Sequence, residues 1–221
     1  MQEIQTKGFN KILNKARAEK LLQYVKGKTC LEIGAGYGQI TKYLVRWFEK
    51  VTVIEIDKTC AIQIPKYRNM SLICEDFLVL IPTEDKFDTI ICTNVLEHVD
   101  DPRKFLESIK TWGHENTTYL FSTPNAKSQN RMLGVDMGLI EYPEQLDTHD
   151  IAAGHQRLYN LDTLRDEISL SGFYINSIGT FIYKPLPNSL MEKLPNQIIK
   201  KCINMKVHEN GAEILAVCSV Y

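Results

Sequence analysis

A glycine-rich turn set between a short apolar run and an amphipathic one constrains this chain more than any other feature. The stretch is Thr29 to Thr41, T-C-L-E-I-G-A-G-Y-G-Q-I-T. Cys30, Leu31, Glu32 and Ile33 read as a buried strand of a parallel sheet, apolar but for one carboxylate. Gly34, Ala35, Gly36, Tyr37 and Gly38 form a tight turn, where residues without Cβ can take positive φ and let a ligand lie against the backbone. Ile40, Tyr43, Leu44 and Phe48 then have the spacing of a helix's buried face. Strand, glycine loop and helix open a nucleotide-binding α/β domain.

The rest of the chain keeps alternating. A leading helix is expected over Asn10 to Val25, closed by Gly27. Strands are expected at Val51–Ile56, Met70–Cys74, Phe87–Thr93 and Thr117–Ser122. A short helix spans Thr59 to Tyr67, and a longer one Pro102 to Trp112, with Asp101 as its N-cap. This βαβ alternation with short connections implies a parallel sheet covered by helices on both faces. Thr123 to Arg157 is a long polar segment, and a connection of that length usually has a job such as a lid or substrate wall. A helix over Leu161–Ser171, a strand over Phe173–Tyr183, a helix over Ser189–Met205 and a strand over Glu213–Tyr221 complete the chain.

With 221 residues, 44% hydrophobic and 24% charged, this is the composition of one ordinary globular domain. Its 26 basic and 27 acidic residues leave a net charge of −1, which argues against a nucleic-acid partner held by a global field. The six cysteines show no metal-ligand spacing, and Cys30, Cys74, Cys92 and Cys218 lie in apolar runs, so they read as buried small hydrophobes and no metal is expected. The N-terminus M-Q-E-I-Q-T-K has no apolar signal run, and no apolar stretch is long enough to span a bilayer. A cytoplasmic protein with no membrane partner is the expectation.

The nucleotide is narrowed by the loop. Glu55 lies 21 residues beyond Gly34, where a carboxylate can accept from both ribose hydroxyls. A dinucleotide loop needs glycine at position 39, and this chain has Gln39. The loop has no basic residue for a triphosphate. After the third strand, Glu75-Asp76-Phe77 offers a carboxylate and an aromatic to read and cover an adenine.

Taken together, L-E-I-G-A-G-Y-G, V-I-E-I-D, E-D-F and F-D-T-I-I-C-T-N-V-L-E-H-V-D-D-P resemble the successive motifs of class I S-adenosylmethionine (SAM) dependent methyltransferases, over about Lys28 to Pro124. The resemblance implies a Rossmann-like three-layer sandwich whose seven-stranded sheet is mostly parallel with an antiparallel last strand. It implies one domain: a leading helix (1–27), a SAM-binding half (28–124), an acceptor-side insertion (125–160) and closing elements (161–221). It places Glu32 toward the methionyl end of SAM, with Gly34, Ala35, Gly36 and Gly38 beneath it. Glu55 would take the ribose diol, Ile56 and Phe77 the adenine ring, Asp76 the adenine amino group, and Asn94 and Val95 the region of the sulfonium.

An oxygen acceptor can need a base, and histidine is the usual one. His155 is the first candidate, His149 the second, and His98 a third beside Glu97, while His114 and His208 read as surface positions. Pro124-Asn125-Ala126, Gly154 to Tyr159 and Lys184-Pro185-Leu186 resemble stretches of small bacterial methyltransferases that methylate oxygens in surface-polysaccharide or secondary-metabolite pathways. Arg131, Arg157 and Lys184 are candidates to hold an anionic small-molecule acceptor. The alternatives are a tRNA or protein methyltransferase, a catalytically silent SAM-binding module and, more distantly, an NAD-dependent oxidoreductase. No N-P-P-Y or D-P-P-Y follows the fourth strand, which weighs against amino-group methylation of adenine or glutamine.

Overall fold

A computed structural model describes residues 8–82 and 84–220; the expectation made for Met1–Lys7 and the end of the last predicted strand at Tyr221 lie outside them. Seven strands build one sheet: β1 (Thr29–Ile33), β2 (Lys50–Ile54), β3 (Met70–Ile73), β4 (Phe87–Thr93), β5 (Gly113–Pro124), β6 (Tyr174–Phe181) and β7 (Glu213–Ser219). Their order is β3-β2-β1-β4-β5-β7-β6. The pairings from β3 through to β5 are parallel, and β7 runs antiparallel to both β5 and β6. The last strand in sequence is thus the antiparallel one, slipped between β5 and the edge strand β6.

Helices cover both faces. On one side lie α1 (Gly8–Leu21), α2 (Thr41–Leu44), α8 (Asn188–Met191) and α9 (Asn196–Ile203), and on the other α4 (Pro102–Lys110) and α7 (Leu161–Leu170). Strand residues alternate between the two layers. Cys30, Ile91 and Leu120 join Phe9, Leu44 and Ile199, whereas Leu31, Ile90 and Tyr119 join Phe105, Leu106 and Leu164. Burial on both faces makes the strands nearly continuous apolar runs and removes about 25 cal/mol of unfavourable hydration per Å² of apolar surface. The Pro102 helix starts as read: the Asp101 carboxylate accepts from the Lys104 amide at 3.0 Å.

Several elements differ from the sequence reading. Only Thr41–Leu44 is α-helical after the glycine loop, although Ile40, Leu44 and Phe48 are still buried. The leading helix ends at Leu21. The helix expected over 189–205 is broken at Pro195, which has no N–H and cannot continue a helix, giving α8 and α9. The long segment 123–157 is not irregular: β5 runs through Pro124, and α5 (Gln129–Asp136) and α6 (Thr148–Ala153) fold within it. α3 (Lys58–Ala61) is a single turn capped by Asp57. Cys30, Cys92 and Cys218 are buried, but Cys74 is exposed, because β3 ends at Ile73 and leaves it in the loop beyond.

Candidate active site

β1 has β2 on one side and β4 on the other, so the chain leaves their carboxyl ends in opposite directions and opens a crevice there. Gly34 begins the crevice wall, with φ +75 and its amide bonded to the Ile54 carbonyl at 2.9 Å. A Cβ on Gly34 would stand 2.3 Å from Cγ2 of Val95, so the first and fourth strand ends close on each other only because this residue is glycine. Over Gly36 there is open space: a Cβ there meets nothing within 4 Å. Ala35 and Gly38 complete the loop, the Gly38 amide closing it on the Ala35 carbonyl at 2.9 Å.

Two buried carboxylates flank the loop. Glu55, just past β2, accepts from the Gly36 amide at 2.6 Å and from the Asp57 amide at 2.9 Å, and each oxygen keeps lone pairs for a second donor. Glu32, at 1% exposure, accepts from the Thr41 hydroxyl at 2.6 Å. Burial pushes its carboxyl up to about 7 against that hydrogen bond. Beside Glu55, Ile56 is 66% exposed, an apolar side chain standing open at a strand end. Asp76 caps a 3-10 turn (Phe77–Val79) by accepting from the Leu78 amide at 2.9 Å, which occupies one of its oxygens. Phe77 corrects the reading of an adenine cover. Its ring is buried against Phe105 (5.3 Å) and Trp112 (5.5 Å), so it anchors the Asp76 turn from the core and has no free face.

On the other side of the crevice, Asn94 follows β4 with φ +54, a left-handed conformation that asparagine tolerates better than most residues. Its Oδ1 is buried without a hydrogen-bond partner among the described residues. Leu96 to His98 then turn back, and Glu97 is completely buried with neither carboxylate oxygen bonded among the described residues. Burial favours its neutral form and pushes the carboxyl up to about 8.

A second chain segment meets this turn. Asp147 and Asp150 form a capping box that starts α6, and Gly154 ends that helix at φ +83. The chain is thereby turned onto the post-β4 loop, where Gln156 donates its backbone N–H to the Glu97 carbonyl (2.8 Å) and its side chain to Asp100 (2.7 Å). His98 and His155 lie edge to face with ring centroids 4.8 Å apart. His155 Nδ1 sits 3.1 Å from the Asp150 carboxylate, and His98 Nδ1 3.1 Å from the Gly154 carbonyl. The Asp150 hydrogen bond raises the His155 pKa despite burial, whereas burial lowers that of His98. Burial opposes ionisation of Asp150, but His155, the Asp147 amide and the Arg131 guanidinium hold its carboxyl at about 2.

Of the three candidate bases, then, His155 and His98 are brought together, while His149 is exposed on α6 and stands apart. Glu97, His98 and His155 each place one donor atom within 4.8 Å of the others, a spacing at which three side chains could hold a metal ion. Arg131 and Arg157 are committed to the fold. Arg131 ion-pairs with Asp150 at 2.9 Å and donates to the Pro143 and Gln145 carbonyls. Arg157 donates to the carbonyls of Leu96, Val99 and Asp100. His114 is half-buried beside Asp88, at 3.3 Å, on the far end of the sheet. The T-H-D and L-E-H stretches of the sequence already offered Asp150 and Glu97 beside the histidines, whereas Arg17 and Glu213 were missed. Arg17 of α1 pairs with Glu213 at the start of β7, at 2.5 Å.

The crevice fits an adenosyl sulfonium by its own chemistry. It offers a carboxylate at a strand end, open space over a glycine, an exposed apolar residue for a base, and an unpartnered amide oxygen. Residues 6–178 match the family model described as a methyltransferase domain. The ubiquinone biosynthesis O-methyltransferase of Coxiella burnetii is 27% identical over 122 residues, covering 52% of each chain. The mitochondrial enzyme of that name from Schizosaccharomyces pombe is 26% identical over 172 residues, 72% of this chain and 60% of that one. The matches thus take in about half the length of these relatives. A SAM-dependent methyltransferase from Thermotoga maritima superposes with a TM-score of 0.71 over 96% of this chain and 91% of its own, at 14% identity, which shows the fold. The chain accordingly belongs to the methyltransferase domain family.

Proposed function

We propose that this enzyme moves the methyl group of S-adenosylmethionine to an oxygen of a small molecule, with His155 as general base. The observation that carries the reading is the Asp150–His155 pair, set beside buried Glu97 at the crevice. The cofactor supplies an activated methyl on a sulfonium, so the chain has mainly to align, desolvate and take a proton. Gly34, Ala35, Gly36 and Gly38 support the cofactor, Glu55 holds the ribose diol, and Ile56 and Asp76 meet the adenine. Phe77 steadies Asp76 from behind. Glu32, Asn94 and Val95 line the methionyl and sulfonium end. Asp150 binds His155 through Nδ1, leaving Nε2 to accept the acceptor's hydroxyl proton.

The names of the curated relatives support oxygen as the methylated atom. Their substrates are not carried over, and a surface-polysaccharide or secondary-metabolite setting is an equal reading. We take residues 1–221 as one functional unit in a reducing cytoplasm, supported by six free cysteines. Among the described residues no helix is long and apolar enough to cross a membrane. The test is incubation with methyl-labelled SAM and a panel of phenols, catechols and hydroxy acids, followed by separation by size. Label on small products, lost in His155→Gln, is the expected result; label only on RNA or protein overturns it.

The donor atoms of Glu97, His98 and His155 favour a second reading, in which a divalent cation binds the acceptor's oxygen and lowers its pKa. Dialysis against EDTA separates the two. Unchanged activity supports the base, and loss restored by Mg²⁺ or Zn²⁺ supports the cation.

A further inference from the structure

We propose that Lys184 is the seat for an anionic group, a carboxylate or a phosphate, on the methyl acceptor; the assignment rests on the acceptor site described above. Three of the cations around this end of the sheet are spoken for. Arg17 holds Glu213 and donates to Asn14 Oδ1 at 2.8 Å. Arg131 clamps Asp147, Asp150 and two carbonyls, and Arg157 binds three carbonyls. Lys184 is different. Its side chain is half-buried, its ammonium donates to one neutral partner, Asn188 Oδ1 at 3.0 Å, and no carboxylate lies within ion-pairing distance among the described residues.

An ammonium without a counter-ion is costly to bury, and a site that keeps one is poised for an arriving anion. Burial accordingly draws the Lys184 amine down to about 8, opposed by the field of Glu213.

The backbone carries Lys184 to the crevice end of the sheet. β6 finishes at Phe181, which lies opposite Glu213. The next residue, Ile182, has φ +64, a conformation disfavoured for a β-branched side chain. It is held there by burial in the core and by the Ala212 amide on its carbonyl at 2.7 Å. Lys184 follows two residues later, within the electrostatic field of Glu213, Arg17, Arg131 and Asp150. Arg131 and Asp150 are the pair that holds His155. On the neighbouring strand ends, Ser122 Oγ, Thr123 Oγ1 and Glu213 Oε2 are buried without partners among the described residues. An acceptor bearing a hydroxyl for His155 and an anionic group for Lys184 satisfies both ends.

The test uses the full chain loaded with S-adenosylhomocysteine, with benzoate and inorganic phosphate as separate probes. Calorimetry measures binding, and mass spectrometry measures protection of Lys184 from an amine-reactive reagent. One probe should bind and protect Lys184, and its affinity should fall at least tenfold in Lys184→Met and recover in Lys184→Arg. Benzoate alone names a carboxylate, and phosphate alone a phosphoryl group. Lys184→Met should fold at least as stably as the parent, because it removes a buried charge. Binding of S-adenosylhomocysteine should stay within about twofold, since the seat belongs to the acceptor. A tenfold loss there would assign Lys184 to the cofactor's carboxylate and overturn the proposal. So would probe binding that is absent in the parent or unchanged in Lys184→Met. If instead His155→Gln stays active while Lys184 is still protected, the base assignment fails and the anion seat stands.

Discussion

The two walls of the crevice are built on different principles. On the cofactor side, each group sits within a few residues of a strand end: Gly34 after β1, Glu55 after β2 and Asp76 after β3. Backbone geometry near each strand fixes these positions, and Glu55 and Asp76 are further pinned by amides no more than a few residues away or on the adjoining loop. On the acceptor side, Glu97 and His98 come from the turn after β4, whereas Asp150 and His155 come from a helix and loop more than fifty residues later. Nothing local joins them. Gly154, Gln156 and Arg157 stitch the two segments through backbone carbonyls, and Arg131 ties α6 to α5. The wall proposed for the cofactor is thus inherited from the sheet, and the one proposed for the acceptor is assembled by long-range polar contacts, where substrate choice can change without disturbing the fold.

That contrast is sharpest in His155→Gln. Loss of a positioned base should lower kcat by about 10²- to 10⁴-fold while leaving affinity for S-adenosylhomocysteine unchanged. A parallel fall in cofactor affinity, measured by calorimetry, would show that the two walls are not separable. The converse is Glu55→Ala, for which a loss of more than about tenfold in cofactor affinity is expected from the removal of charged hydrogen bonds. Unchanged affinity would misplace the ribose end.

Asp150→Asn probes the assembled wall by pH. The Asp150 hydrogen bond raises the His155 pKa, and activity needs the neutral imidazole, so activity rises with pH through that value. Removing the charge should move the rising limb of kcat/KM to lower pH. The smallest effect is on stability. Glu97 has a raised folded-state pKa, about 8, so the unfolded chain releases its proton first and this group weakens the fold as pH rises from about 4.3 to 8. Asp150 works in the opposite sense, adding stability above the unfolded carboxyl pKa that is lost as pH falls toward about 2. Glu97→Gln should therefore flatten the decline in Tm between pH 5 and 8, by a few degrees for a chain of this size. An unchanged Tm profile would show that Glu97 is not buried in its neutral form.

The same division governs how much could be read from the chain alone. Glycines at 34, 36 and 38, the acidic residue after β2 and the alternation of apolar runs are local signals, and the sheet and the glycine-lined crevice at its strand ends followed from them. Boundaries slipped where a tertiary constraint intervened, as at Pro195 and in the short α2. Phe77 was misread because aromatic character does not say whether a ring will face a ligand or the core. Arg131 and Arg157 were offered to an anion because a sequence cannot show that a guanidinium will be consumed by carbonyls from distant loops.

What the sequence determined by itself was the mostly parallel sheet and the glycine turn after its first strand, because period and glycine act over a few residues. Only the tertiary structure decided that Glu97 is buried, that His155 and not His149 comes within reach of it, and that Lys184 has no carboxylate within ion-pairing distance among the described residues. Each of these depends on desolvation and on partners dozens of residues away, and neither quantity exists until the chain has folded.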